Sequence, residues 1–285
     1  MTWLTPLGRT FFALALIGLG VEHFLFGEFV TGRAPAWPAT APGGFAWAAL
    51  TGAAFVATGI AVLFGRWARM ALICAAALIL VWALFRNLPV AAADSLLGAA
   101  WTRAGKAMTL VGGALATAGT LPVVVAGGER SSLVRFVNVR DGFLHAGRVS
   151  LALFLVLTGI QHFLFTAFVA SLIPSWFPGD AVGWTYFAGI ALIAGGVGLS
   201  LPRTAPLAAG LSGAMVFSWF WIVHLPRTFA DVSDGIAVFE ALAVAGIAFL
   251  LAGSLGETGE EARAGEGSRE ASSGSGRRGS ELRLP

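Results

Sequence analysis

Cysteine is almost missing from this chain. Of its 285 residues one is a cysteine, Cys74, set inside an apolar run. One cysteine cannot form an intramolecular disulfide or a CxxC redox pair, so thiol–disulfide chemistry by this chain alone is not expected. Charge is also scarce. Asp, Glu, Lys and Arg together make up 12% of the residues, where a soluble domain carries roughly 25%. No CxxC or HExxH spacing occurs, which leaves too few ligands for a zinc site, and no glycine-rich nucleotide motif points to ATP or NAD. The basic excess is small, a formal net charge of +3. Its arginines sit at the ends of apolar runs and do not interleave with exposed aromatics, so nucleic acid is not an expected partner.

What remains is apolar: 57% of the residues are hydrophobic. A window of about 19 residues finds eight apolar stretches, each near the ~20 residues that span a bilayer as a helix. They lie at 10–30, 45–64, 69–88, 106–126, 149–170, 184–201, 207–225 and 236–254.

These stretches fall into two sets of four. Gly8-Arg9 opens one run, which continues to Glu22-His23-Phe24-Leu25-Phe26, Phe29-Val30, Pro35 and Trp37. Gly147-Arg148 opens another, with Gln161-His162-Phe163-Leu164-Phe165, Phe168-Val169, Pro174 and Trp176. Over 31 paired positions without a gap, 14 are identical, well beyond what shared hydrophobicity gives. Further on, Arg66 pairs with Arg203, Trp82 with Trp219, Leu88-Pro89 with Leu225-Pro226, and Lys106-Ala107 with Glu240-Ala241. Recurrence at 149–170 also argues against reading residues 11–21 as a signal peptide, as does the lack of a small-residue cleavage site. The expected fold is an all-α integral membrane protein: eight transmembrane helices as a tandem repeat of two four-helix bundles. Four helices is an even number, so the repeat is parallel, about an axis along the membrane normal.

The expected organisation is a first unit over 1–127, an interfacial linker over 128–146, a second unit over 147–254, and a disordered tail over 255–285 rich in Gly, Ser, Glu and Arg. One face collects Arg9, Arg66, Arg69, Arg130, Arg135, Arg140, Arg148 and Arg203; the other has Arg33, Arg103 and Arg227, with Arg86 and Lys106 near it. The arginine-rich face is expected to be cytoplasmic, with both termini inside the plasma membrane.

Polar residues within the spans carry the functional signal. His23 and His162 each lie 14 residues past an arginine at the inner boundary, roughly 21 Å at 1.5 Å per residue. In the second unit Gln161, His162, His224 and Glu240 come from three helices and are expected to converge at that depth. In the first unit Glu22, His23, Arg86, Asn87 and Lys106 occupy the matching places, and Glu22 is expected to be neutralised by Arg86 or Lys106. Gly20, His23 and Gly27 share one helix face, as do Gly159, His162 and Thr166, so a neighbouring helix or a ligand can approach each histidine.

Two readings stand side by side. The polar residues are interhelical hydrogen-bonding groups, or His162 and His224 hold a quinone carbonyl or exchange a proton, with Glu240 tuning their charge. Bis-histidine haem ligation is geometrically available but rests on two histidines alone. The proline-broken segment 171–180 is expected either to cover the second-unit site or to anchor at the interface through its aromatics. Asp231 and Asp234 are expected in a solvated loop at a helix start, and His145 in the linker.

Gly147-Arg148, Gly159, His162-Phe163, Phe168, Pro174, Leu201-Pro202-Arg203 and Val223-His224 resemble the DoxX-like family of four-helix bacterial membrane proteins. The first unit keeps the first helix and the Pro-Trp segment but has Gly65-Arg66 for Leu-Pro-Arg and Asn87 for the late histidine. The resemblance implies a four-helix bundle per unit in a bacterial inner membrane. It also implies association with quinone-linked oxidoreductases, in which a partner subunit brings any thiol or cofactor chemistry. The expectation is a redox-associated membrane protein with a pocket for a quinone or another small lipophile near the outer leaflet in the second unit. A small-solute or proton-coupled transporter and a non-catalytic scaffold are the alternatives.

Overall fold

The computed structural model describes residues 3–30, 34–65, 67–122, 130–229 and 234–280, and of 130–138 and 258–280 the backbone alone. All regular structure among them is helical. We label the helices α1 (Leu4–Phe26), α2 (Gly44–Phe64), α3 (Ala68–Ala92), α4 (Ala99–Gly119), α5 (Arg130–Leu164), α6 (Thr166–Ser171), α7 (Ala181–Ser200), α8 (Ala205–Thr228) and α9 (Gly235–Ser280).

Seven of these, α1, α2, α3, α5, α7, α8 and α9, contain stretches long and apolar enough to cross a membrane. The chain is a helical membrane protein. The eighth expected span corresponds to α4, which has 21 residues but carries Arg103 and Lys106 in its first turns and is otherwise largely Ala, Gly and Thr. Small residues bury well against other helices while adding little apolar weight, so α4 is long enough to span but less apolar than the rest.

Two features differ from the sequence expectation. The segment expected to be an interfacial linker is helical from Arg130 and continuous with the fifth span, which runs from Val139; Leu144 within it is buried, and residues 128–129 lie outside the described residues. The tail expected to be disordered from 255 continues α9 to Ser280. Elongating a helix from a formed span avoids the cost of nucleation, so weak sequence propensity suffices there. Residues 281–285 lie outside the described residues.

Helix packing follows a closed circuit. In order α1, α2, α3, α4, α5, α7, α8 and α9, each helix packs on the next, and α9 packs on α1. Inside the circuit α9 also meets α4 and α5. The span in α9 is 83% buried, whereas those in α7 and α8 are 28% and 22% buried, so α9 lies at the core and α7 and α8 at the lipid-facing rim. The two junctions that close the circuit, α1 on α9 and α4 on α5, depend on glycine. A Cβ on Gly8 would lie 2.3 Å from the Leu250 backbone nitrogen, and one on Gly147 would lie 2.6 Å from the Ala116 Cβ and 2.9 Å from the Gly112 carbonyl oxygen. Helix backbones approach this closely only where no side chain intervenes.

Both α3 and α8 contain a π turn, at Ala83–Asn87 and Phe220–His224, each followed by Leu-Pro. Proline has no N–H and its ring crowds the carbonyl four residues back, which favours a wider turn there. The last residue of each π turn is polar, Asn87 in one and His224 in the other. We call the end of the bundle that holds these turns and the segments 27–43 and 172–180 the upper end.

Candidate functional site

The second-unit residues divide between two neighbourhoods. Gln161 is buried and reaches from α5 to the start of α4. Its Nε2 donates to the Leu97 carbonyl at 2.5 Å and the Gly98 carbonyl at 3.0 Å, and its Oε1 accepts from the Thr102 hydroxyl at 2.8 Å. Glu240, on α9, forms an ion pair with Lys106 on α4. Thr102 and Lys106 are four residues apart, hence on one face of α4. Gln161 and Glu240 are thus both committed to the first turns of α4 and the residues just before it. Glu240 is 5% exposed and its second oxygen, Oε1, has no hydrogen-bond partner among the described residues.

His162 points elsewhere. Its Nδ1 lies 2.7 Å from the Thr158 carbonyl, an atom that can only accept, which places the ring proton on Nδ1. The ring stacks on Trp219 of α8 at a centroid distance of 6.2 Å. A Cβ on Gly189 would lie 3.0 Å from the His162 Cβ, so the small residues near this histidine admit α7. His224 is half-buried at the end of its π turn. Segment 172–180 ends in Asp180, which caps α7 by accepting from the Gly183 N–H at 2.7 Å, while Trp176 is exposed. Asp234 accepts from Arg227 Nε at 3.0 Å and ties α8 to α9; Asp231 lies outside the described residues. His145 lies in α5.

Two cavities lie against first-unit residues, one of them also walled by Ile236 of α9. His23 is fully buried, with Nδ1 2.7 Å from the Leu19 carbonyl and its ring against the edges of Phe55 and Phe29. Glu22 is buried, with Oε1 close to Gly235 at the start of α9. The expected neutralisation of Glu22 by Arg86 or Lys106 is corrected: Lys106 is drawn to Glu240, and Arg86 turns toward segment 27–43. Lys106 lies against Glu240 of α9, and Arg86 lies against the Pro35 carbonyl.

Arg86 Nη2 donates to the Pro35 carbonyl, and its guanidinium carbon lies 4.4 Å from the Phe29 ring centroid and 5.3 Å from that of Trp37. Phe29 and Trp37 stack on each other at 5.6 Å and 11°. Cation–π contacts of this kind offset part of the cost of holding a charge away from water. Arg86 Nη1 is buried and has no hydrogen-bond partner among the described residues, and no carboxylate there lies within ion-pair distance of it. The neighbouring Asn87 is 3% exposed, and its Nδ2 also has no partner.

Both residues line one recess. It has room for about 10 Å³ and is walled by Phe29, Thr51, Phe55, Trp82 and Asn87, with Arg86 shared with a larger cavity. That cavity, about 380 Å³, lies among Phe26, Phe29, Trp37, Phe45, Arg86 and Ile236. Its volume falls within the range of small-molecule sites. Glu28 is exposed at its edge. The sequence placed Arg86 and Asn87 in a polar cluster but did not show the aromatic wall or the part played by Ile236. The Pro-Trp segment was the available signal, since proline holds Trp37 in an extended stretch that folds back over α3.

Among the described residues, no group of three or more metal-ligating side chains occurs. Residues 151–249 match the family model of a domain of unknown function (DUF8561). No curated protein matches, and no solved structure matches. The matched stretch runs from within α5 to within α9 and includes Ile236 but none of the other residues that wall the cavities.

Proposed function

We propose that this chain binds a small lipophilic molecule with an acceptor oxygen at its head, the class that includes quinones, in the first-unit cavity. The observation that carries the reading is the pairing of an aromatic-walled cavity with two buried, unpartnered donors, Arg86 Nη1 and Asn87 Nδ2. Leaving a buried donor unsatisfied costs about 1–3 kcal/mol. A ligand oxygen placed between them would recover that energy twice. The exposed aromatic residues Phe26 and Phe45 at the cavity suit entry of an apolar molecule from the bilayer.

In this reading the protein is a two-unit, eight-span protein of a bacterial plasma membrane, with the upper end outward and both termini cytoplasmic. The asymmetry of arginine in the sequence supports that orientation. The order of helix packing and the matched π turns support the two-unit arrangement. The DoxX-like motifs support association with a membrane redox assembly, with electron-carrying cofactors on a partner subunit. The engagement of Gln161 and Glu240 with α4 supports a ligand site in the first-unit cavity.

The test is extraction. Protein purified in mild detergent is expected to carry a lipophile detectable by mass spectrometry of its organic extract, at a lower ratio in Asn87→Leu. A folded protein with no extractable lipophile, and no thermal stabilisation by a short-tailed quinone or a single-chain amphiphile, would overturn the reading in favour of transport or scaffolding.

A further inference from the structure

Resting on that reading, the geometry points to an anionic head group: we infer that the first-unit cavity takes a single-chain amphiphile with a carboxylate head. The argument begins with charge. Arg86 has one carbonyl, that of Pro35, and the aromatic faces of Phe29 and Trp37 as its neighbours. A carbonyl and two rings carry partial negative charge only. The described structure therefore supplies a guanidinium with a free terminal nitrogen and no counter-charge within ion-pair distance, in a membrane protein where such charge is costly.

The recess adds a size constraint. At about 10 Å³ it admits one oxygen-sized group. Arg86 and Asn87 both line it, and Arg86 Nη1 and Asn87 Nδ2 are buried without a partner among the described residues. One carboxylate oxygen seated there would accept from both donors, and the second would remain in the larger cavity beside the same guanidinium. A charged acceptor forms shorter, stronger bonds to such donors than a neutral carbonyl does. The larger cavity shares Phe29, Ala34 and Arg86 with the recess, so the two adjoin at Arg86. Its wall is apolar at Phe26, Phe45 and Ile236, where a single alkyl chain can leave toward lipid.

The second unit is a natural contrast. Aligning Trp82 with Trp219 and Leu88-Pro89 with Leu225-Pro226 sets Val223 opposite Arg86 and His224 opposite Asn87. The guanidinium is specific to the first unit, so a head-group preference based on charge should be abolished by changes there alone.

The experiment uses the full chain in a non-ionic detergent and three probes: a dansylated undecanoic acid, its methyl ester, and a short-tailed benzoquinone. The acid is expected to bind at least about tenfold more tightly than the ester, the scale of one charge-assisted hydrogen bond. Arg86→Gln should erase that preference and Arg86→Lys should keep most of it, while Asn87→Leu should weaken the acid several-fold. Thermal melts report whether each variant folds. If Arg86→Gln does not fold, the acid–ester comparison on the unaltered protein still decides. Equal binding of acid and ester, or a preference that survives in folded Arg86→Gln, overturns the anionic head. Quinone binding without acid preference overturns it too, but leaves the lipophile-binding function standing. No binding by any probe removes both.

Discussion

Lys106 and Glu240 hold matching positions in the two sequence repeats, and in the fold they form an ion pair with each other. Two copies of one unit facing each other about a twofold axis would bring identical residues together at that point, and like charges there would repel. Divergence to opposite signs converts the contact into an attraction. Glu240 is 5% exposed and Lys106 25%, so the carboxylate depends most on its partner.

Removing either charge should therefore be costly, and reversing both should not. Lys106→Met is expected to destabilise the protein by about 3 kcal/mol, because it strands a buried carboxylate. Lys106→Glu combined with Glu240→Lys should recover most of the loss. Thermal unfolding in detergent of the two single variants and the double variant measures it. A double variant no more stable than the worse single one would mean that the pair contributes nothing across this seam.

Gln161 gives a second test of the same seam. Gln161→Leu removes the donor from the Leu97 and Gly98 carbonyls and the acceptor from Thr102. A loss of about 1–3 kcal/mol is expected. Extracted lipophile per folded protein should be unchanged, since Gln161 lies outside the cavity wall. Loss of the lipophile from folded Gln161→Leu would return the site to the second unit.

The glycine junctions predict a sharp positional contrast. A Cβ at Gly8 meets backbone atoms of α9 at 2.3 and 2.4 Å, and backbone cannot rotate out of the way. Gly8→Ala should cost about 1–3 kcal/mol through overpacking. Gly142, in α5, has nothing within 4 Å of its would-be Cβ, so Gly142→Ala should be neutral or stabilise by up to about 1 kcal/mol through helix propensity. Equal melting shifts for the two would contradict the packing of α1 on α9.

The helical membrane class is legible in the sequence, because apolar length reports directly on spans. The π turns sit where Leu-Pro recurs, and the glycine face of each histidine does receive a neighbouring helix. Side-chain direction was not legible. Gln161 and His162 are adjacent in sequence, and depth alone grouped them; a helix turns about 100° per residue, which sends one to α4 and the other to Trp219. Nor could helical depth show that Lys106 pairs across the seam rather than with Glu22, since that depends on which units adjoin. The cavity escaped the sequence because residues 27–30 and 34–37 wall it, where no periodicity reveals a fold-back.

Trp37 and Trp176 occupy the same place in the repeat and should respond oppositely to removal. Trp37 stacks on Phe29, lies 5.3 Å from the Arg86 guanidinium, and donates from Nε1 to the Ala41 carbonyl at 2.9 Å. Trp176 is 62% exposed and contacts the ring of Phe177. Trp37→Ala strips one face from Arg86 and opens the cavity wall. A loss of about 3 kcal/mol is expected, at the lower end for a large aromatic because Trp37 is only half-buried, together with weaker retention of the lipophile. Trp176→Ala should change stability by no more than about 0.5 kcal/mol, the scale of a surface substitution, and leave retention as it was. The two variants differ only in which copy of the motif they remove, so melting temperature and extract composition measured side by side separate a site in the first unit from an aromatic anchor common to both. Equal effects from the two tryptophans would mean that the Pro-Trp segment anchors both units to the interface and that the cavity plays no part in ligand retention.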